Sequence, residues 1–225
     1  MRRYKQDFIE FMVQAGVLTF GDFITKSGRE TPFFINTGQY NTGMEMKQLG
    51  DYYAQALHET LGDDFDCLFG PAYKGIPLAV TTGVALAQSF HHDVGVAFNR
   101  KEAKDHGEGG SLIGHQLSDG DRVVIVEDVT TAGTSVRESV PLLKASAAVE
   151  VKALIVSVDR MERGRTERGA LAELRDEFGL ITIPIVTLDD IVGHLHNREI
   201  NGAVLVDDTM KARIDAYRAE YGVRS

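Results

Sequence analysis

The sequence predicts an α/β protein, a parallel sheet flanked by helices on both faces, with a small hood at the N-terminus. Three observations carry this. From residue 66 onward, short β-favouring runs alternate with stretches of helical period, the pattern of a parallel sheet with helical crossovers. Two of the runs, Arg122–Val126 and residues 149–158, are almost continuously apolar and rich in β-branched residues, as strands buried on both faces must be. The first 40 or so residues break the alternation and read as a helix followed by a hairpin. The expectation is one domain over residues 1–225, with about 1–40 forming the hood over the active edge of the sheet.

In order along the chain, residues 4–15 place Phe8, Phe11, Met12 and Ala15 at helical spacing. Residues 19–36 hold two β-favouring runs around Lys26-Ser27-Gly28-Arg29, a hairpin signal. Leu49, Tyr52, Tyr53, Ala56 and Leu57 mark a second amphipathic helix. A strand over residues 66–69, a helix over 76–88 and a strand over 94–98 follow. Residues 99–115 have no hydrophobic period and read as a long loop. After Arg122–Val126 comes a helix that Pro141 is expected to kink or shorten. Next come the strand at 149–158, a helix over 166–178 and a strand over 181–186. Thr187-Leu188-Asp189-Asp190 fits a capping box that opens a short helix, and residues 208–221 are helical. His194 and His196 are expected on the surface.

Composition narrows the function. Hydrophobic residues make up 43% and charged residues 25%, ordinary for a soluble globular protein. No run approaches the roughly 20 apolar residues of a membrane helix, and no signal-peptide pattern opens the chain. Cys67 is the single cysteine, so no internal disulfide is expected and a reducing cytoplasm fits best. The net charge of -9 argues against a nucleic-acid partner and sends the search for a polyanion site to places where Lys and Arg gather beside Gly.

The strongest such place is Val123-Val124-Ile125-Val126-Glu127-Asp128-Val129-Thr130-Thr131-Ala132-Gly133-Thr134-Ser135. A buried strand ends in two acids, and a loop of small and hydroxylated residues leads into a helix. Ligands of open α/β sheets bind at the carboxyl ends of strands. Small residues let backbone N–H groups converge on a phosphate, and a helix N-terminus favours its charge. Glu127 and Asp128 then suit vicinal ribose hydroxyls next to that phosphate. The stretch is neither a Walker loop nor a dinucleotide fingerprint. The bland alternative is a solvated strand end followed by a helix cap.

Three other segments carry weaker signals. Residues 99–110 gather Arg100, Lys101, Lys104 and His106 with four glycines between 107 and 114, which fits a lid that brings positive charge to a polyanion. Interleaved Glu102, Asp105 and Glu108 also fit an ordinary solvated loop. Phe69-Gly70-Pro71-Ala72-Tyr73-Lys74-Gly75 is a tight strand-to-helix turn with Lys74 at its tip, suited to a diphosphate or to nothing more than a connection. Ser157-Val158-Asp159-Arg160 ends a strand in an arginine that either grips a planar carboxylate or pairs with Asp159 or Glu162. His91-His92-Asp93 lacks a convincing ligand set for zinc.

The acid-plus-loop stretch resembles the phosphoribosyl pyrophosphate (PRPP) signature of the type I phosphoribosyltransferases, with Thr130 where an aliphatic residue is more usual. The basic loop resembles that of the bacterial orotate phosphoribosyltransferases, and the resemblance runs nearly the whole chain in the same order. It implies a type I phosphoribosyltransferase-like fold and transfer of phosphoribose to orotate in pyrimidine (UMP) biosynthesis. It implies Mg2+ with no direct protein ligand, and a cytoplasmic homodimer with sites shared across the interface. By this resemblance PRPP is bound by Lys26, Tyr73, Lys74, Arg100, Lys101, Lys104, His106 and the residues from Glu127 and Asp128 through Val129, Thr130, Thr131, Ala132, Gly133 and Thr134 to Ser135. Orotate is bound by Phe34, Ile35, Thr131 and Arg160, where Ile35 departs from the two aromatics of the enterobacterial pattern. Catalysis falls to Lys104, His106, Arg100 and Asp128; Arg100, Lys104 and His106 would serve the partner's site and Lys101 its own. Transfer to another base and a regulatory protein that senses the ribosyl donor are the competing readings.

Overall fold

The structure, a computed structural model, describes residues 1–25, 28–101, 112–130 and 132–223. Helix α1 (Arg3–Gln14) leads into an antiparallel hairpin of β1 (Leu18–Ile24) and β2 (Glu30–Ile35), whose register pairs Leu18 with Ile35 and Phe20 with Phe33. A single 3-10 turn, Thr37–Gln39, connects the hairpin to α2 (Gly43–Leu61). Then follow β3 (Cys67–Gly70), α3 (Gly75–Phe90), β4 (Gly95–Asn99), β5 (Leu112–Gly114), β6 (Arg122–Val126), α4 (Thr134–Ser146) and β7 (Glu150–Asp159). The chain continues through α5 (Ala170–Phe178), β8 (Ile181–Thr187), α6 (Leu188–Leu195), a short ribbon of β9 (Glu199–Ile200) and β10 (Ala203–Val204), and α7 (Asp208–Tyr221).

The central sheet has the order β5-β4-β3-β6-β7-β8. All its neighbours run parallel except β5, which pairs antiparallel with β4. The parallel strands alternate between two cores, as the two-residue period of a strand requires. Leu68, Val124 and Ile155 face one layer that includes α1, α2, α3, α6 and α7. Cys67, Phe69, Ile125 and Val156 face the other, filled by Val136 and Val140 of α4 and Leu171 and Leu174 of α5. At the N-terminal edge of the strands Arg122 ties two segments together, giving Nη2 to Asp66 at 2.6 Å while also pairing with Asp64.

The hood is locked onto this body. Phe33 of β2 is fully buried and meets Tyr217 of α7 edge-on at 5.7 Å. Phe11 of α1 stacks on Tyr40 at 5.1 Å.

Four expectations change. The long loop over 99–115 ends in β5, whose Leu112 and Ile113 pair with Asn99 and Phe98. The helix expected from 166 begins at Ala170, because the Glu173 carboxylate takes the Thr166 N–H and hydroxyl, each at 2.7 Å, and folds that segment back over the helix start. The helix α4 runs through Pro141 to Ser146 rather than stopping there. His194 is not a surface residue: it is 3% exposed and its Nε2 lies 2.9 Å from Glu10 Oε1, pinning α6 to α1. The capping box at Thr187 forms as read, with Asp190 at its third position.

Candidate active site

The site is assembled at the carboxyl ends of β3, β4, β6 and β7. Glu127 and Asp128 follow β6 directly, and both peptide carbonyls are held. The Tyr53 hydroxyl, fully buried in α2, donates to the Glu127 carbonyl at 2.7 Å. The Ser157 hydroxyl and N–H donate to the Asp128 carbonyl at 2.6 and 2.8 Å. Two side chains from different elements therefore fix the backbone that aims the acids. Burial pushes the Glu127 carboxyl above its ordinary value, and the Asp128 charge adds to this; a hydrogen bond from Ser135 and the Lys74 charge oppose it.

Asp128 has two side-chain partners. Its Oδ2 accepts from the Thr37 hydroxyl at 2.6 Å and from Lys74 Nζ at 3.0 Å. Lys74 Nζ also lies 3.1 Å from Thr37 Oγ1. These three residues line a cavity of about 170 Å³ together with Tyr40, Tyr53 and Ser157. The buried Tyr40 hydroxyl has no hydrogen-bond partner among the described residues.

The turn that carries Lys74 depends on glycine. A Cβ on Gly70 would collide with the Gly75 carbonyl and sit 3.0 Å from Ala79 Cβ; one on Gly75 would lie 2.9 Å from the Val126 carbonyl. Only two glycines let the turn lie flat against β6. The Ala72–Tyr73 peptide in this turn is cis. Ala72 N–H donates to Asn99 Oδ1 at 2.8 Å, which joins the turn to the start of the basic segment.

The small-residue segment after Asp128 carries a hydrogen bond of its own. Thr130 Oγ1 accepts from the Gly133 N–H at 3.1 Å, so the unusual hydroxyl at this position has a structural task. Gly133 has φ +66°, and a Cβ there would press at 2.9 Å on Leu174. Val129 bridges to Val158, extending the strand pairing up to the loop. Ala132 lends its carbonyl to the Arg137 guanidinium, and Thr134 and Ser135 open α4. Arg100, Lys101, Thr134 and Ser135 share a second recess of about 500 Å³ with the Gly-Pro turn. Lys101 Nζ stands 5.1 Å from the centre of the exposed Tyr73 ring, within cation–π range. Arg100 Nε is buried and lacks a hydrogen-bond partner among the described residues.

On the other side, Arg160 stands at the end of β7, its Cζ 4.8 Å above the Phe33 ring. Of the two acids weighed as partners, Glu162 takes it, with Nη2 at 2.6 Å and Nε at 2.8 Å from Oε1, and the Tyr217 hydroxyl donates to the same oxygen at 2.8 Å. Asp159 instead caps the Met161 N–H at 2.8 Å. Phe34 is partly exposed and stacks on Phe23 at 5.6 Å, while Ile35 packs on the core. Lys26, Lys104, His106 and Thr131 lie outside the described residues.

Residues 36–179 match the phosphoribosyl transferase domain family, a stretch from the turn after β2 to the end of α5. The chain is 58% identical over 224 residues to an orotate phosphoribosyltransferase of Clostridium beijerinckii, covering all of both chains. The chain belongs to the orotate phosphoribosyltransferase family. The orotate phosphoribosyltransferase of Cronobacter sakazakii is 48% identical over 223 residues, covering 99% of this chain and all of the relative. The crystal structure of the Francisella tularensis orotate phosphoribosyltransferase superposes with a TM-score of 0.83 at 34% identity, over 96% of this chain and 99% of that one. The orotate phosphoribosyltransferase fold thus accounts for the β1–β2 hairpin and α7 as well as for the sheet that the domain match covers.

Sequence reasoning missed three residues of this site. Thr37 sits in a short polar run with no periodicity. Tyr53 reads as one more apolar position of α2, and its hydroxyl finds its use only through a partner 74 positions away. Ser157 was part of a singled-out strand end, but nothing local marks its hydroxyl as a clasp for Asp128.

Proposed function

We propose that this chain transfers the 5-phosphoribosyl group from PRPP to orotate, giving orotidine 5′-monophosphate and pyrophosphate, with the residues assembled above in the following roles. The observation that carries the residue assignment is the convergence of Asp128, Lys74 and the α4 N-terminus at adjacent strand ends, one for each part of a phosphorylated, diphosphorylated sugar. The loop from Val129 to Ser135 takes the 5′-phosphate on backbone N–H groups and hydroxyls. Glu127 and Asp128 accept from the ribose hydroxyls. Lys74 and Tyr73 take the diphosphate, joined by Lys26, Arg100, Lys101, Lys104 and His106.

The residues present suit magnesium. Two adjacent carboxylates, Glu127 and Asp128, follow β6, with Lys74 at 3.0 Å from Asp128. Such a site fits a cation held largely by substrate oxygens and water. When bound, magnesium neutralises charge on the leaving pyrophosphate. The chain's own contribution is to hold the ribose from Asp128, to meet the developing pyrophosphate charge with Lys74 and the basic loop, and to exclude water. Arg160 holds the orotate carboxylate, with Phe34, Ile35 and Thr131 around the ring. For orotate to be gripped, Arg160 must share or leave Glu162.

The whole chain acts as one catalytic unit in the cytoplasm, with residues 1–40 as hood, and works as a homodimer. The outer face of α3 supports pairing: Val80 and Val84 are exposed one turn apart and continue the line of exposed Tyr73 and Pro77. Mixing Lys104→Ala with Asp128→Asn subunits should regain activity that neither has alone if the basic loop serves the partner's site.

The primary test incubates the protein with PRPP, magnesium and one base at a time, following loss of orotate absorbance beside uracil, hypoxanthine and adenine. Turnover of orotate alone supports the assignment of Arg160. Turnover of another base overturns the acceptor side and keeps the donor side. Tight PRPP binding with no turnover of any base replaces the enzyme with a donor-sensing regulator. Lys104→Ala should lower turnover severely without changing the melting temperature; unchanged turnover removes the basic loop from the mechanism.

A further inference from the structure

We propose that Thr37 is a positioning residue of the donor site, through which the hood sets the rotamer of Asp128 and holds Lys74 in reserve. The inference rests on the reading that Asp128 and Lys74 receive the ribosyl donor.

The observation is a closed triangle of three polar atoms from three separate elements. Thr37 belongs to the turn after the hairpin, Lys74 to the turn after β3 and Asp128 to the end of β6. The Thr37 hydroxyl donates to Asp128 Oδ2 at 2.6 Å, the Lys74 ammonium donates to Thr37 Oγ1 at 3.1 Å, and the same ammonium reaches Asp128 Oδ2 at 3.0 Å. A hydroxyl suits the middle position because its single oxygen can accept from the ammonium while donating to the carboxylate. Its own place is fixed: Asn36 Oδ1 accepts from the Gly38 N–H at 3.1 Å and closes the turn around Thr37.

The two charged members differ in freedom. The Lys74 side chain is 65% exposed and the Asp128 side chain 16%. When a diphosphate arrives, Lys74 is the member that can swing away to it. Asp128 Oδ2 then loses its ammonium partner but keeps the Thr37 hydroxyl, so the carboxylate stays aimed and Oδ1 faces the sugar. Without that hydroxyl the carboxylate would follow the lysine or turn to water, and donor binding would have to fix it afresh. The side-chain partners of Thr37 are Asp128 and Lys74, both read as donor-side groups, so its removal should weaken the donor and leave the acceptor alone.

The test compares Thr37→Val, which keeps the shape and removes the hydroxyl, with Thr37→Ser, which restores it, and with Asp128→Asn as a donor-site reference. Steady-state kinetics vary PRPP and orotate separately, and melting temperatures are recorded. The expected result is a rise of about tenfold in KM for PRPP in Thr37→Val, the size of one lost hydrogen bond to a charged group. KM for orotate should stay within about twofold, the melting temperature should be close to the parent's, and Thr37→Ser should return KM for PRPP to within about twofold. An unchanged KM for PRPP in Thr37→Val, beside a raised one in Asp128→Asn, overturns the role of Thr37 and leaves the donor site standing. Equal loss toward both substrates with a lowered melting temperature also overturns it, in favour of hood packing. Unchanged donor affinity in Asp128→Asn overturns the donor-site reading and the inference with it.

Discussion

Tyr53→Phe removes one oxygen atom from the centre of the protein, and the structure fixes what that costs. Tyr53 is fully buried, and its hydroxyl donates to the Glu127 carbonyl at 2.7 Å. Phenylalanine fills the same ring volume, so no cavity larger than the hydroxyl appears. The loss is that of the hydrogen bond plus the desolvation of a buried carbonyl left without this donor, together about 2 kcal/mol. For a domain of this size that corresponds to a fall in melting temperature of about 4–8 °C. The carbonyl belongs to the residue just before Asp128, so the backbone that aims the acids also loosens. KM for PRPP should therefore rise with little change in KM for orotate. Scanning calorimetry and two-substrate kinetics read both effects. A melting temperature within about 1 °C of the parent's, with unchanged kinetics, would refute the claim that Tyr53 holds the end of β6.

Further outcomes follow from other contacts. Gly70→Ala should abolish activity or soluble expression, because the added methyl meets the Gly75 backbone rather than a movable side chain; a normally active Gly70→Ala enzyme would show that the turn has slack. The Arg122 guanidinium holds the Asp66 carboxyl at about 2, below its ordinary 3.8. That stabilisation is present above about pH 4 and is lost as the pH falls toward 2, so the difference in melting temperature between parent and Asp66→Asn should be flat at neutral pH and vanish in acid. Because both side chains are partly exposed and screened by solvent, the plateau should be small in urea titrations. His194→Ala should cost about 2 kcal/mol by unpairing Glu10 and opening a gap between α1 and α6, while the folded fraction keeps its KM values. Arg160→Lys should raise KM for orotate by roughly tenfold or more with KM for PRPP unchanged, since a lysine cannot offer a planar fork.

The parts of the fold that were legible in the sequence are those in which one segment decides its own state. Arg122–Val126 could be read to the residue because a continuous β-branched run has one good use. The capping box at Thr187 and the helix at Asp208–Tyr221 are local too. Where a distant partner decides, the reading slipped. Strand β5 exists because β4 offers it an edge, and three residues carry no signal of that. His194 is buried because Glu10, far away in sequence, meets it. The site divides the same way. The acids, the small-residue loop and the Gly-Pro turn are contiguous motifs. Thr37, Tyr53 and Ser157 are single hydroxyls whose work depends on where a strand end arrives.

The way the hairpin is fastened has a consequence for redesign. On the proposed roles Asp128, Lys74 and the small-residue loop of the donor side are carried by the sheet, whereas Phe34 and Ile35 ride on a separate two-stranded ribbon held by Phe33 against Tyr217 and by the Arg213 pairing with Asp22. On the proposed roles the acceptor pocket is therefore split, its ring-covering residues on the ribbon and its carboxylate reader, Arg160, at the end of β7 in the sheet. On those roles, exchanging residues 34 and 35 alone should alter the fit of the base ring while Arg160, Lys26 and the strand-end groups keep their sequence, provided that Phe33 still meets Tyr217 and position 37 keeps its hydroxyl.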